Sequence, residues 1–130
     1  MWRNATLIKP ELLSAWNNLI IMLDSIGSYA RAQEIALEAF KHHSNQSSLH
    51  FNYGNLLGKM KNFNQSEKHF KIAISLSEGN AIYYSNLAVL YHQWKDYSKA
   101  IVYYEKALKI DPNLENAKKN IKVLQKILNL

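Results

Sequence analysis

Four asparagines, Asn18, Asn52, Asn86 and Asn120, stand 34 residues apart in this sequence of 130 residues. A side-chain amide donates and accepts hydrogen bonds at once. Amides repeated at a regular rise therefore suit the backbone of an extended peptide, with little demand on its side chains. The same amides can instead bridge neighbouring helices, and the two uses are compatible. Around them stand Asn17, Ile21 and Asp24, then Phe51, Asn55 and Lys59, then Ser85, Val89, His92 and Gln93. Together they describe a polar surface with aromatic and aliphatic patches. Bond-making chemistry finds much less support. His42, His43 and His50 are grouped in sequence, but no carboxylate or thiol stands at metal-ligand spacing from them. Asp24, Glu78, Asp96 and Asp111 are scattered and form no acid/base pair. The chain has no Cys, no glycine-rich phosphate cradle and no nucleophile elbow. The expectation is a non-catalytic chain with no cofactor and no metal. Asn4, Asn45 and Asn64 each begin an Asn-X-Ser/Thr tripeptide, so each is a candidate N-glycosylation acceptor in a secretory lumen and carries no meaning in cytoplasm.

The elements that position these residues must be helical. With 4 Gly and 2 Pro, the chain is too poor in turn formers for a sandwich, a barrel or a loop-built site. Hydrophobic residues at 48% and charged residues at 20% fit one globular domain. No apolar run approaches a membrane span, and Arg3, Asn4 and Lys9 interrupt any signal-peptide core. The net charge of +6 belongs entirely to residues 47–130, and the segment 115–130 is its most basic part, with Lys118, Lys119, Lys122 and Lys126. Most lysines fall on the second helices and the last helix, among acids such as Glu67 and Glu105, without a stripe of exposed aromatics. We therefore expect a solvated outer face and no nucleic-acid partner.

The 34-residue step extends well beyond asparagine. It aligns Trp16, His50, Tyr84 and Lys118; Leu19, Tyr53, Leu87 and Ile121; Leu23, Leu57 and Tyr91; and Tyr29, Phe63 and Tyr97. Small residues follow at Ala32, Ser66 and Ala100 and again at Ala39, Ala73 and Ala107, with Ala36, Phe70 and Tyr104 in a bulkier slot. This pattern resembles the tetratricopeptide repeat, closed by Pro112 in the third copy and departing from the closing proline at Ser44 and Glu78. The resemblance implies an all-α solenoid of antiparallel hairpins in a right-handed superhelix, with first helices lining a concave groove. Periodicity and breakers predict helices over Pro10–Asp24, Tyr29–His42, Ser47–Lys59, Asn64–Ser75, Ala81–Gln93, Tyr97–Ile110 and Leu114–Leu128. Asn64 with Glu67 reads as a capping box, and Asp96 as a cap on the helix after it. Ile121, Leu124, Ile127 and Leu128 give the last helix an apolar face. His50, in the slot of Trp16 and Tyr84, reads as a packed residue and not a ligand. The repeat frame divides the chain into 1–12, 13–46, 47–80, 81–114 and a capping helix over 115–130. Trp2, Ala5, Ile8 and Pro10 fall where the second helix of a preceding repeat belongs, so the chain reads as part of a longer array. Its truncated end would expose an apolar edge and invite end-to-end association.

Some chaperone adaptors of this superfamily grip a C-terminal carboxylate with Lys and Arg at inner positions. Asn55 matches one Asn of such a clamp, but Asn17, Ser48 or Ile82, and Asn86 stand where its other groups belong, which argues against that ligand. Met1 to Ala5, Ala15 to Asp24, Gly54 to Lys59 and Asn86 to Trp94 resemble a narrower family, the transmembrane and tetratricopeptide-repeat containing protein O-mannosyltransferases. That resemblance implies a C-terminal array in the endoplasmic reticulum lumen, attached to a membrane-embedded enzyme that uses dolichyl-phosphate mannose. The concave face would then engage acceptor proteins of cadherin type, and no catalytic residue falls on these positions. The alternatives are a soluble cytoplasmic adaptor or scaffold, or a structural spacer, with no link to glycosylation.

Overall fold

A computed structural model describes residues 12–129 of the chain. Trp2, Asn4, Ala5, Ile8 and Pro10, on which part of the repeat frame and the truncated-end argument rest, lie outside the described residues. The described residues form helices α1 (Leu13–Ser25), α2 (Tyr29–Phe40), α3 (Ser47–Lys59), α4 (Phe63–Leu76), α5 (Ala81–Gln93), α6 (Tyr97–Ile110) and α7 (Glu115–Ile127), with no strand among them. The chain divides into two compact units, residues 1–76 and 77–130. In the first, the hairpins α1–α2 and α3–α4 stack through contacts of α3 with both α1 and α2; in the second, α7 packs on α6 of the hairpin α5–α6. The architecture is an all-α solenoid of stacked antiparallel helix pairs.

The positions that recur at 34 residues are the packed ones. Ala32, Ser66 and Ala100 are fully buried, as are Ala39, Ala73 and Ala107, while Phe70 and Tyr104 fill the bulkier slot. Methyl-sized side chains let paired helices approach closely, and the aromatics fill the space left beside them. α3 and α4 approach closely at Gly54. A Cβ on Gly54 would stand 3.1–3.2 Å from three ring carbons of Phe70, and the Ser66 hydroxyl donates to the Gly54 carbonyl at 2.6 Å. Ser66 thus replaces the alanine of the other repeats without leaving a buried hydroxyl unpaired.

The three hairpin turns share one construction that the residue types show only in part. Gly27, Lys61 and Lys95, again 34 residues apart, all have positive φ, at 80°, 62° and 65°. In each turn that residue's N–H bonds the carbonyl three residues back, and the next N–H reaches five back, as in Asn62 N–H to the Leu57 carbonyl at 2.9 Å. This is a Schellman closure, which satisfies the last free carbonyls of a helix and reverses the chain tightly.

Helix ends differ from expectation where local bonding decides. α1 starts later than the sequence suggested, after a non-helical Leu12. α2 stops at Phe40, because Lys41 and His42 bond three residues back and tighten the last turn. Asn64 is not a cap: α4 begins at Phe63, so Asn64 lies inside its first turn and Asn62 precedes the helix. Asp96 does cap α6, its carboxylate accepting from Lys99 N–H at 3.3 Å, and Asn80 caps α5 through Ile82 N–H at 3.0 Å. In α7, Ala117 and Leu124 are buried and Ile121 is half-buried, as is Leu128 just after the helix, but Ile127 is exposed and is not part of that apolar face.

Candidate functional site

In the first unit, α1 and α3 lie side by side, and two sets of polar contacts join them. At one end the Asn52 amide donates to Asn17 Oδ1 at 3.0 Å, and the Asn17 amide donates to Ser48 Oγ at 2.9 Å. At the other end Lys59 Nζ lies 2.9 Å from Asp24 Oδ1. The Asp24 side chain is 13% exposed and that of Lys59 51%, so the pair is desolvated on one side only. Asn17 is therefore used within the fold in both directions. Asn52 keeps its carbonyl oxygen and one amide hydrogen for another partner. Asn18 is exposed on α1. Between these groups Ile21 is 51% exposed, Phe51 is half-buried with its ring 5.9 Å from that of Phe70, and Asn55 is half-buried. The result is a face that presents the amides of Asn18 and Asn52 beside apolar patches, neutral because Lys59 is paired.

In the second unit, α5 presents Ile82, Ser85, Asn86, Val89 and His92 along one side, with Val89 37% exposed. His92 meets the Tyr97 ring edge-on at 5.7 Å, and Asn86 is half-buried and engaged. Asn120 behaves differently from its counterparts. Its amide donates to the Tyr104 hydroxyl at 3.1 Å, which turns it towards α6. Burial pushes the Tyr104 phenol above its ordinary pKa, and the bond from Asn120 opposes that shift. The four asparagines of the 34-residue frame thus have four environments: open on Asn18, half-committed on Asn52, engaged on Asn86 and committed to α6 on Asn120.

Sequence grouping of the histidines proved misleading. His50 is indeed packed, at 7% exposure, but its partner is His69 on α4, not His42 or His43. His42 instead faces the Trp16 ring at 6.2 Å. Among the described residues no group of three or more His, Cys, Asp or Glu converges as a metal site, and no helix is long and apolar enough to cross a membrane. Of the glycosylation candidates, Asn45 is exposed in the link between α2 and α3. Asn64 is exposed on α4, but the hydroxyl of its tripeptide, Ser66, is the buried donor to Gly54.

Tetratricopeptide-repeat family models match residues 47–80 and 81–114, together more than half of the chain. Among solved structures, MamA superposes with a TM-score of 0.87 at 19% identity, over 99% of this chain and 75% of that one. The first tetratricopeptide-repeat domain of Spaghetti (RPAP3), bound to an HSP90 peptide, gives 0.84 at 16% identity, over 95% of this chain and 98% of that one. These likenesses concern the fold. A curated protein O-mannosyl-transferase of Caenorhabditis elegans is 30% identical over 105 residues, which is 81% of this chain and 15% of the relative's length. The chain belongs to the tetratricopeptide-repeat proteins. It is a protein- or peptide-binding module of that superfamily, helical through its described residues.

Proposed function

We propose that the chain is an adaptor module that holds an extended protein segment against the α1–α3 face, with Asn18 and Asn52 bonding its backbone and Ile21 and Phe51 receiving apolar side chains. The observation that carries this reading is the state of the face itself: the amides of Asn18 and Asn52 beside Ile21 and Phe51, with Lys59 neutralised by Asp24. Binding there favours an uncharged segment. An acidic tail would need free cations, and Lys59 is already spoken for. Alanine replacement of Asn52 tests the assignment through the affinity of a bound segment, with the lost bond to Asn17, about 1 kcal/mol, read separately by urea unfolding.

A second reading attaches the module to a membrane-embedded O-mannosyltransferase in the endoplasmic reticulum, where the held segment belongs to an acceptor protein such as a cadherin-type domain. It draws support from the C. elegans relative, of which this chain spans 15%. In that reading Asn45 is the N-glycan acceptor, because it is exposed in a turn while the tripeptide at Asn64 has its hydroxyl buried in the fold. Glycan mapping on the native protein, combined with proximity labelling from it, separates the two. Occupied Asn45 with lumenal neighbours supports the transferase reading, and an unmodified Asn45 with cytoplasmic neighbours supports the adaptor alone.

A further inference from the structure

The least ordinary chemistry in the molecule is away from the α1–α3 face, where one imidazole meets another in the packing between α3 and α4. His50 Nε2 lies 2.8 Å from the Ser44 carbonyl oxygen, and His50 Nδ1 lies 3.0 Å from His69 Nδ1. A carbonyl can only accept, so with both rings neutral His50 carries its proton on Nε2 and its Nδ1 is an acceptor. His69 must then donate from Nδ1, leaving its own Nε2 unprotonated. The ring centroids are 5.2 Å apart with planes within 20°. That separation exceeds the nitrogen contact by nearly the depth of two half-rings, so the nitrogens point at each other along the line of centres.

One tautomer of the neutral pair satisfies every contact. Phe40 of α2 covers both rings, at 4.7 Å from His50 and 5.7 Å from His69, and Tyr53 of α3 meets His69 edge-on at 4.7 Å. The Tyr53 hydroxyl accepts from Gln33 of α2 at 3.1 Å, so the same cluster also ties α2 to α3. Lys68 of α4 is the charged group beside the pair, and it is positive. No carboxylate pairs with either imidazole among the described residues. Protons arriving here find aromatic walls, a like charge and no counter-ion. If both rings are charged, each Nδ1 carries a hydrogen aimed at the other, and the bond becomes a repulsion.

We propose that the His50–His69 pair is an acid-sensitive lock on the first unit: uncharged, it holds α3, α4 and the α2–α3 link together, and charging both imidazoles loosens that packing. The elements it holds include α3, which carries Phe51, Asn52 and Asn55. Acid would therefore weaken the grip on a bound segment, a consequence that rests on the peptide-binding reading, whereas the lock itself does not. Burial first, then His50 and then Lys68 hold the His69 imidazolium well below its ordinary range, at about 4. A histidine whose pKa is lowered by folding contributes stability that is complete above the unfolded value of 6.5 and is lost as pH falls from there towards 4. On that basis the folding equilibrium constant drops about ten-fold between pH 8 and pH 5.5 from this group alone.

The test is an NMR titration of the histidine side chains in the 130-residue chain, with urea unfolding at pH 8 and pH 5.5 for the wild type and for His69→Phe. The expected results are a His69 resonance that holds its neutral position down to about pH 5, and a pH-dependent loss of stability that is smaller in His69→Phe by about ten-fold in equilibrium constant. His69→Phe keeps an aromatic against Phe40 and Tyr53, but should it fail to fold, the wild-type titration decides by itself. A His69 that titrates at its ordinary value, with the amide resonances of α3 and α4 unmoved on protonation, overturns the proposal. So does an equal pH dependence in the two proteins.

Discussion

Lys59 and Asp24 form an ion pair of 2.9 Å that ties the last turn of α1 to the last turn of α3, while Asn52 and Asn17 tie the same helices nearer their starts. The pair is asymmetric, because Asp24 is largely covered and Lys59 is half in water. Removing the lysine strands a covered carboxylate, whereas removing the charge of the aspartate leaves a lysine that water can serve. Lys59→Met should cost about 1–2 kcal/mol and Asp24→Asn less than about 1 kcal/mol, measured by urea unfolding of both variants under one buffer.

The same asymmetry predicts a change of ligand preference. In Asp24→Asn, Lys59 becomes a free cation on the α1–α3 face. Affinity for an acidic peptide should rise by about three- to ten-fold at low salt and fall back as salt is added. Fluorescence anisotropy with matched acidic and neutral peptides reads this directly; no gain for the acidic one means that Lys59 does not face the ligand.

Gly54 sets how closely α3 and α4 pack. Gly54→Val would drive two methyl groups into the Phe70 ring, which is buried and has nowhere to retreat. The expected cost is about 2–3 kcal/mol. Pairing it with Phe70→Leu should return part of that loss as a favourable coupling in a double-mutant cycle. Additive costs would show that the two side chains do not meet.

Two of the three hairpin turns place lysine where backbone geometry favours glycine. Lys61→Gly and Lys95→Gly should each raise stability by up to about 1 kcal/mol, because glycine relieves the steric strain of positive φ. Gly27→Ala should lower it by a similar amount, about 1 kcal/mol. Thermal unfolding midpoints of the three variants check the set, and a loss in Lys61→Gly would contradict the shared turn construction.

Much of the fold is legible in the residues, for a physical reason: each repeat must bury the same slots, so Ala32, Ser66 and Ala100 or Leu23, Leu57 and Tyr91 announce themselves by period. Helix interiors follow from that, and the ends follow less well. Asn64 has the composition of a cap, but the Schellman turn at Lys61 brings the chain into α4 at Phe63. Lys61 and Lys95 hide the turn because only Gly27 of the three carries the usual residue. The candidate site is legible as a register but not as a set of equal groups. Side-chain amides choose among neighbours within about 3 Å, and those neighbours differ: Asn17 for Asn52, Tyr104 for Asn120. His69 escapes notice for a similar reason. It lies 19 residues from His50, and only the antiparallel return of α4 brings the two rings together.

The most direct measurement of the central claim is the affinity of an extended, uncharged peptide, selected from a random-sequence library on the wild-type chain, for the wild type and for Asn18→Ala/Asn52→Ala. Both side chains lie on the α1–α3 face, and neither is in the core. Loss of their bonds to the peptide backbone should raise Kd by at least about ten-fold, with backbone amide shifts confined to α1 and α3 and stability lowered only by the lost Asn52–Asn17 bond, about 1 kcal/mol. An unchanged Kd, or shifts that map to other helices, would contradict the assignment of this face as the binding site.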